Sequence, residues 1–118
     1  MENQHENKND NSHFFILIPS EVLRMSELSE GAKLLFGEIL FLSKKENYCY
    51  ANNDYFMRLN GVSKRTIVSR LKELKNHNLI RTEVFRNKNR QVEKRNIYVL
   101  KDYSNRNVTV ENNRQMAD

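Results

Sequence analysis

Residues 53–74, "NDYFMRLNGVSKRTIVSRLKEL", leave the backbone few choices. A short helix-prone run over 53–59 and a longer one after Ser63 stand on either side of Asn60-Gly61. Glycine there interrupts a helix at a cost but takes left-handed geometry freely, as a tight turn between helices requires. Asn52 or Asn53 is positioned to cap the first run and Ser63 the second. The second run puts Ile67, Leu71 and Leu74 at helical spacing, with Lys64, Arg65, Ser69 and Lys72 on the other side. Two helices, a tight turn and a basic face left over after the core is satisfied are therefore what this stretch can build.

The flanks extend the pattern. Ser29 is a helix cap with Glu30 in the first turn, where the helix dipole favours an acid, and that helix runs to about Ser43. Ala32, Leu35, Phe36 and Ile39 form one apolar face of it, and Leu34 and Phe41 a second, so it is either central or shared with a partner. Before it, "HFFILIP" predicts an edge strand or a packed arm, and residues 20–28 a short helix. After residue 78, "LIRTEVFR" and "RNIYVL" are β-prone, and the polar "NKNRQVEK" between them predicts a hairpin tip. The expectation is an α+β fold, a winged helix-turn-helix of three or four helices with a C-terminal β-hairpin wing, over residues 13–100. Residues 1–12 and 101–118 are poor in apolar content and read as tails.

Charge supports a functional reading of the basic face. The 118-residue chain carries a formal net charge of +5. Residues 63–95 hold eleven basic groups against Glu73, Glu83 and Glu93, a net of +8, so the whole positive excess lies in that segment. Charge spread for solubility would not be so confined. A basic amphipathic helix alone is often only a solvated face; the turn before it and the basic hairpin after it favour nucleic acid. In a winged helix-turn-helix the second helix enters the major groove. Lys64, Arg65, Thr66 and Ser69 are then candidates for base edges, with arginine favouring guanine. The amides at the helix start, together with Ser63 and Arg70, suit phosphates, and Lys72 on the outward face is a further DNA-binding candidate. Arg86, Lys88 and Arg90 of the wing would reach the backbone or minor groove, supported by Lys94 and Arg95.

The segments "FFILIPSEVLRMSELSEGAKLLFGEILFLS" and "NNDYFMRLNGVSKRTIVSRLKELKNHNLIRT" resemble the winged-helix N-terminal domains of replication initiators from plasmids and phages of Gram-positive mobile elements. The likeness lies in an Ile-Pro opening, an "LS..AK.L" helix start and a "GVS.RT….L..L" recognition run, and it covers residues 14 to about 100. Asn78 stands where that family commonly has glycine, and Phe36 where tyrosine is frequent. The resemblance implies sequence-specific binding to double-stranded DNA at an origin or promoter, serving replication, transfer or transcription control. Initiators of this kind continue into a second domain.

Other chemistries find little footing. Gly31, Gly37 and Gly61 form no phosphate-cradling loop, and His5, His13, His77 and Cys49 have no metal-ligand spacing, so neither a cofactor, a metal nor an enzymatic activity is expected. Tyr48, Tyr50 and Tyr55 could stack on bases, but packing around the short helix is the simpler expectation, as is a half-buried filler role for Cys49. A lone cysteine excludes an internal disulfide and fits the cytoplasm. No apolar run approaches the roughly 18 residues of a membrane span. A homodimer reading an inverted repeat is expected. A protein-interaction module, docking on replication, partition or transfer proteins through "HFFILI" and the doubly apolar helix, is the alternative from a different class.

Overall fold

The computed structural model describes residues 15–103; the tail predicted at 1–12, and all but residues 101–103 of the one predicted at 101–118, lie outside it. Its elements run α1 (Ser20–Leu23), α2 (Glu30–Leu42), α3 (Asn53–Asn60), α4 (Lys64–Asn76), β1 (Ile80–Arg86) and β2 (Val92–Val99). Three caps fall where their residue types place them. The Ser29 hydroxyl accepts from the Ala32 amide, Asn52 Oδ1 from Tyr55 and the Ser63 hydroxyl from Thr66. Each satisfies one of the amides that a helix start leaves without an intrahelical partner.

The first apolar face of α2 is the centre of the molecule: Ala32, Leu35, Phe36 and Ile39 have no exposed surface. Ile67, Leu71 and Leu74 of α4, Phe56 of α3 and Ile80 and Ile97 of the hairpin close around it. The second face behaves differently. Leu34 is 46% exposed and Phe41 half-buried.

The described part of "HFFILIP", residues 15–19, forms no strand. It is a packed arm whose Ile16 and Ile18 lie over Gly37, where a Cβ would come within 3.1 Å of Ile18 Cγ1 and 3.2 Å of Ile16 Cδ1. Phe15 and Leu17, on alternate positions, face outward. The predicted helix over 20–28 is one turn only. Its last carbonyl, Leu23 O, accepts from the buried Lys33 ammonium at 2.8 Å, and further turns carry the chain to Leu28.

The turn between α3 and α4 is made by Gly61 at φ 65°, ψ 36°, its amide returning to Met57 O at 2.8 Å. At the far end of α4 the left-handed residue is Asn78, φ 60°. The Leu79 amide reaches back to Leu74 O and the Asn78 amide to Lys75 O, both at 3.0 Å, the paired bonds of a Schellman closure. Asparagine there replaces glycine because its short polar side chain tolerates this region better than other non-glycine residues.

β1 and β2 pair antiparallel from Ile80↔Val99 to Arg86↔Val92, with a bulge at Phe85/Arg86. The tip is tighter than predicted: it spans 87–91, and Val92 to Lys94, expected in the loop, already belong to β2. Asn87 organises it, its Oδ1 accepting from the Asn89 and Gln91 amides while Arg90 takes φ 67°. A further strand-like contact was not anticipated. Cys49 pairs with Ile97 through both backbone bonds, at 2.9 and 2.8 Å, adding a third position to the sheet. Cys49 is wholly rather than half buried, and burial pushes its thiol up from the ordinary range. The chain returns to the body after β2: Lys101 Nζ and the Tyr103 hydroxyl both donate to Glu21, at 2.8 and 2.9 Å, and the Tyr103 ring meets Phe36 edge-on.

Candidate nucleic-acid interface

The position of α4 is fixed from three directions. Its Glu73 carboxylate accepts both the Ser29 amide and the Ser29 hydroxyl at 2.8 Å, so a side chain of α4 completes the cap of α2. The Arg70 guanidinium lies over Gly31, where any Cβ would collide with its Nε and Cζ. At the turn, Asn60 Nδ2 donates to Glu38 Oε1 at 3.0 Å and to Phe56 O at 2.9 Å, tying the end of α3 to α2. With Ile67, Leu71 and Leu74 facing the core, what remains outward is a stripe of Arg65, Ser69, Lys72 and Asn76. Lys64, Val68 and Lys75 lie on its flank, all of them exposed.

The charges at the start of α4 run against its own dipole. α1, α2 and α3 each carry an acid in the first turn, Glu21, Glu30 and Asp54. α4 has none and opens with Lys64-Arg65. Cations at a helix N-terminus cost roughly 0.3–1 kcal/mol each, so this arrangement adds nothing to the fold. It concentrates positive potential where the amides of Lys64 and Arg65 already lack intrahelical acceptors.

The twelve candidate residues fall into three groups. Lys64, Arg65, Ser69 and Lys72 share the outward side of α4, and Arg86, Lys88, Arg90 and Lys94 are exposed on the hairpin. Arg86 Nη1 donates to Arg90 O across the tip at 3.0 Å, and Lys94 Nζ lies 4.9 Å from the centre of the Phe85 ring. Ser63 and Thr66 are committed to the cap, their hydroxyls 3.2 Å apart, with Thr66 half-buried. Arg70 and Arg95 do not project outward. Arg95 turns inward from β2 to donate to Asn53 Oδ1 and Ala51 O, both at 2.9 Å, and burial lowers its pKa from the ordinary arginine value. Both arginines are half-buried against the frame, Arg95 through its two hydrogen bonds and Arg70 by lying over Gly31.

Sequence reasoning passed over Val68, Lys75 and Asn76. Asn76 continues the 65, 69, 72 spacing by one more step, a signal that was available. The tyrosines are divided: Tyr55 packs edge-on against Phe56 and Tyr48 lies against Tyr98, while Tyr50 is 63% exposed. Tyr50, Tyr55 and Phe41 line an open cleft of about 680 Å³ with Lys44, Lys45 and Arg58. Among the described residues no group of three or more His, Cys, Asp or Glu could hold a metal, and no helix is long and apolar enough to cross a membrane.

Residues 26–80 match the helix-turn-helix domain family. No curated protein sequence matches the chain. Among solved structures it is similar to one described as the N-terminal domain of a DNA-binding protein, with a TM-score of 0.55 and 19% identity over 92% of this chain and 91% of that one. At that identity the likeness is one of fold. The capped pair α3–α4 across Gly61, braced on α2 and followed by the β1–β2 hairpin, accordingly has the winged helix-turn-helix fold.

Proposed function

We propose that this chain binds double-stranded DNA sequence-specifically, with α4 in the major groove and the β1–β2 hairpin as a basic wing. The observation that carries the reading is the cationic start of α4. Lys64 and Arg65 stand at a helix end that their charge destabilises, beside an outward stripe that the core does not need. Arg65 and Ser69 are the base-reading candidates, with Lys64, Lys72, Lys75, Arg86, Lys88, Arg90 and Lys94 on phosphates. The setting is a plasmid, phage or other mobile element, with the protein acting in the cytoplasm at an origin or promoter in replication, transfer or transcription control. This part rests on the resemblance to replication initiators. The similar structure's description as part of a DNA-binding protein supports the choice of partner.

Phe15 at 81%, Leu17 at 74% and Leu34 at 46% exposed favour a protein contact as well. In a homodimer joined there, two α4 helices about 34 Å apart would read an inverted repeat. The second reading is a protein-interaction module that docks on a replication, partition or transfer complex through the same surface.

The test is selection of duplexes from random sequence, followed by salt titration of the selected and scrambled forms. For about six phosphate contacts, affinity should fall by roughly a thousandfold between 50 and 200 mM salt on both, the selected duplex staying tighter. Arg65→Ala should cost about 1–3 kcal/mol and relax the preference. An affinity that Arg65→Ala leaves unchanged, or equal weak binding to both duplexes, would turn the assignment to the protein-docking reading.

A further inference from the structure

We infer that Val68 reads a thymine through its 5-methyl group, making it a specificity residue beside Arg65; the inference rests on the DNA-binding reading above. Val68 is 47% exposed in the second turn of α4. An isolated exposed valine is ordinary on most helices; its surroundings decide the matter here. It has Lys64 four residues before it, Arg65 three before and Lys72 four after, all exposed, and Ser69 adjoins it. Lys64, Arg65 and Lys72 border it on three sides and the remaining neighbour at helical spacing, Leu71, turns into the core, so no apolar docking patch extends from it along the helix surface. They do frame a single apolar spot of side-chain size within a positive field. The major-groove edge of an A·T pair offers the complement, a methyl group set among hydrogen-bond acceptors and flanked by phosphates.

Geometry limits which base this is. At a rise of 1.5 Å per residue, Val68 lies about 4.5 Å further along the helix axis than Arg65. Successive bases on one strand are about 3.4 Å apart. The thymine therefore lies one or two steps from the base that Arg65 contacts, a guanine if the arginine takes its preferred partner. Nothing in the fold requires valine at this position. Its side chain is absent from the core, and a β-branched residue is slightly disfavoured in a helix interior.

The experiment is binding-site selection with the full chain and with Val68→Ala, followed by uracil substitution at each thymine of the selected site. The wild-type site should contain a thymine within two steps of the Arg65-dependent position. Uracil there should weaken binding about fourfold, the value of one methyl group removed from apolar contact. Val68→Ala should unfold at the wild-type temperature, lose the thymine preference and show no uracil penalty, while Val68→Ile retains both. A Val68→Ala protein that selects the same thymine with the same penalty overturns the inference and leaves DNA binding intact. A wild-type chain that selects no duplex overturns the DNA reading, and this inference falls with it.

Discussion

At the level of single residues, the start of α4 is where fold and function pull apart. Lys64 occupies the first helical position, exposed, with the positive end of the dipole behind it. Lys64→Glu should raise stability by about 0.5–1 kcal/mol, since it exchanges an unfavourable charge for the kind the other helices carry there. The same change should weaken duplex binding by roughly tenfold or more, because a phosphate loses its cation and meets a repelling carboxylate instead. Urea unfolding and a binding titration on one preparation would read both. A variant that is less stable, or that binds DNA unchanged, would remove the argument that this charge is kept for a ligand. Much at this scale is legible in the sequence. Ser29 and Ser63 are caps by residue type, Asn52 is legible only as one of two adjacent candidates with Asn53, and Gly61 is a turn by its lack of a Cβ. Arg70 and Arg95 are not legible in that way. A basic side chain in a basic segment looks solvent-bound in sequence, whereas its destination depends on Gly31 in one case and on Asn53 and Ala51 in the other. No local pattern announces partners that are tens of residues away.

Among the elements, the hairpin and α4 should differ in what they contribute to recognition. The outward stripe of α4 can present Arg65 and Ser69 to base edges, but the wing presents Arg86, Lys88 and Arg90 at a tip held by its own backbone and Asn87. Replacing those three with alanine should therefore lower the salt slope of binding by about 2.7, at roughly 0.9 for each phosphate that is no longer neutralised. Affinity should fall on every duplex alike, and the selected sequence should stay the same. A changed sequence preference would show that the wing reads bases, and an unchanged slope that it does not touch DNA. The extent of the wing is only partly legible, since "NKNRQVEK" is uniformly polar and a strand without a buried face has no alternation to show. Val92, Glu93 and Lys94 are all exposed, so nothing in their order distinguishes loop from ladder. The Cys49–Ile97 pairing escapes for a related reason: one bridging residue is too short to have a period. Helices α2 and α4, by contrast, show an apolar stripe long enough to fix both their limits and their inward face.

For the molecule as a whole, the junction of α2, α3 and α4 holds a carboxylate that the fold would be better without in its charged form. Glu38 is 8% exposed, inside "LLFGEILFL", where sequence alone suggests only an interruption of an apolar run. Burial raises its pKa above the ordinary carboxylate range, and the Asn60 hydrogen bond and the positive charge of Arg70 offset this only in part. A group that binds its proton more tightly in the folded than in the unfolded state destabilises the fold wherever it is ionised. Its penalty is thus present at neutral pH and is relieved as pH falls through the raised pKa, opposite to the usual behaviour of paired carboxylates. Glu38→Gln retains an oxygen for the Asn60 amide and removes the charge. It should melt above wild type at pH 7, where even half a kcal/mol reads as about 2–4 °C in a body this size. The gap should narrow as the pH approaches 4, because the wild-type group is then protonated as well. Thermal unfolding of the pair across that range would decide the matter, since other titrating groups cancel in the difference. A gap that stays constant with pH would mean that packing, not ionisation, sets the cost. A Glu38→Gln protein that melts below wild type would mean that the charge is needed, with Arg70 and Asn60 together outweighing the desolvation, and that the junction bracing α4 is held electrostatically.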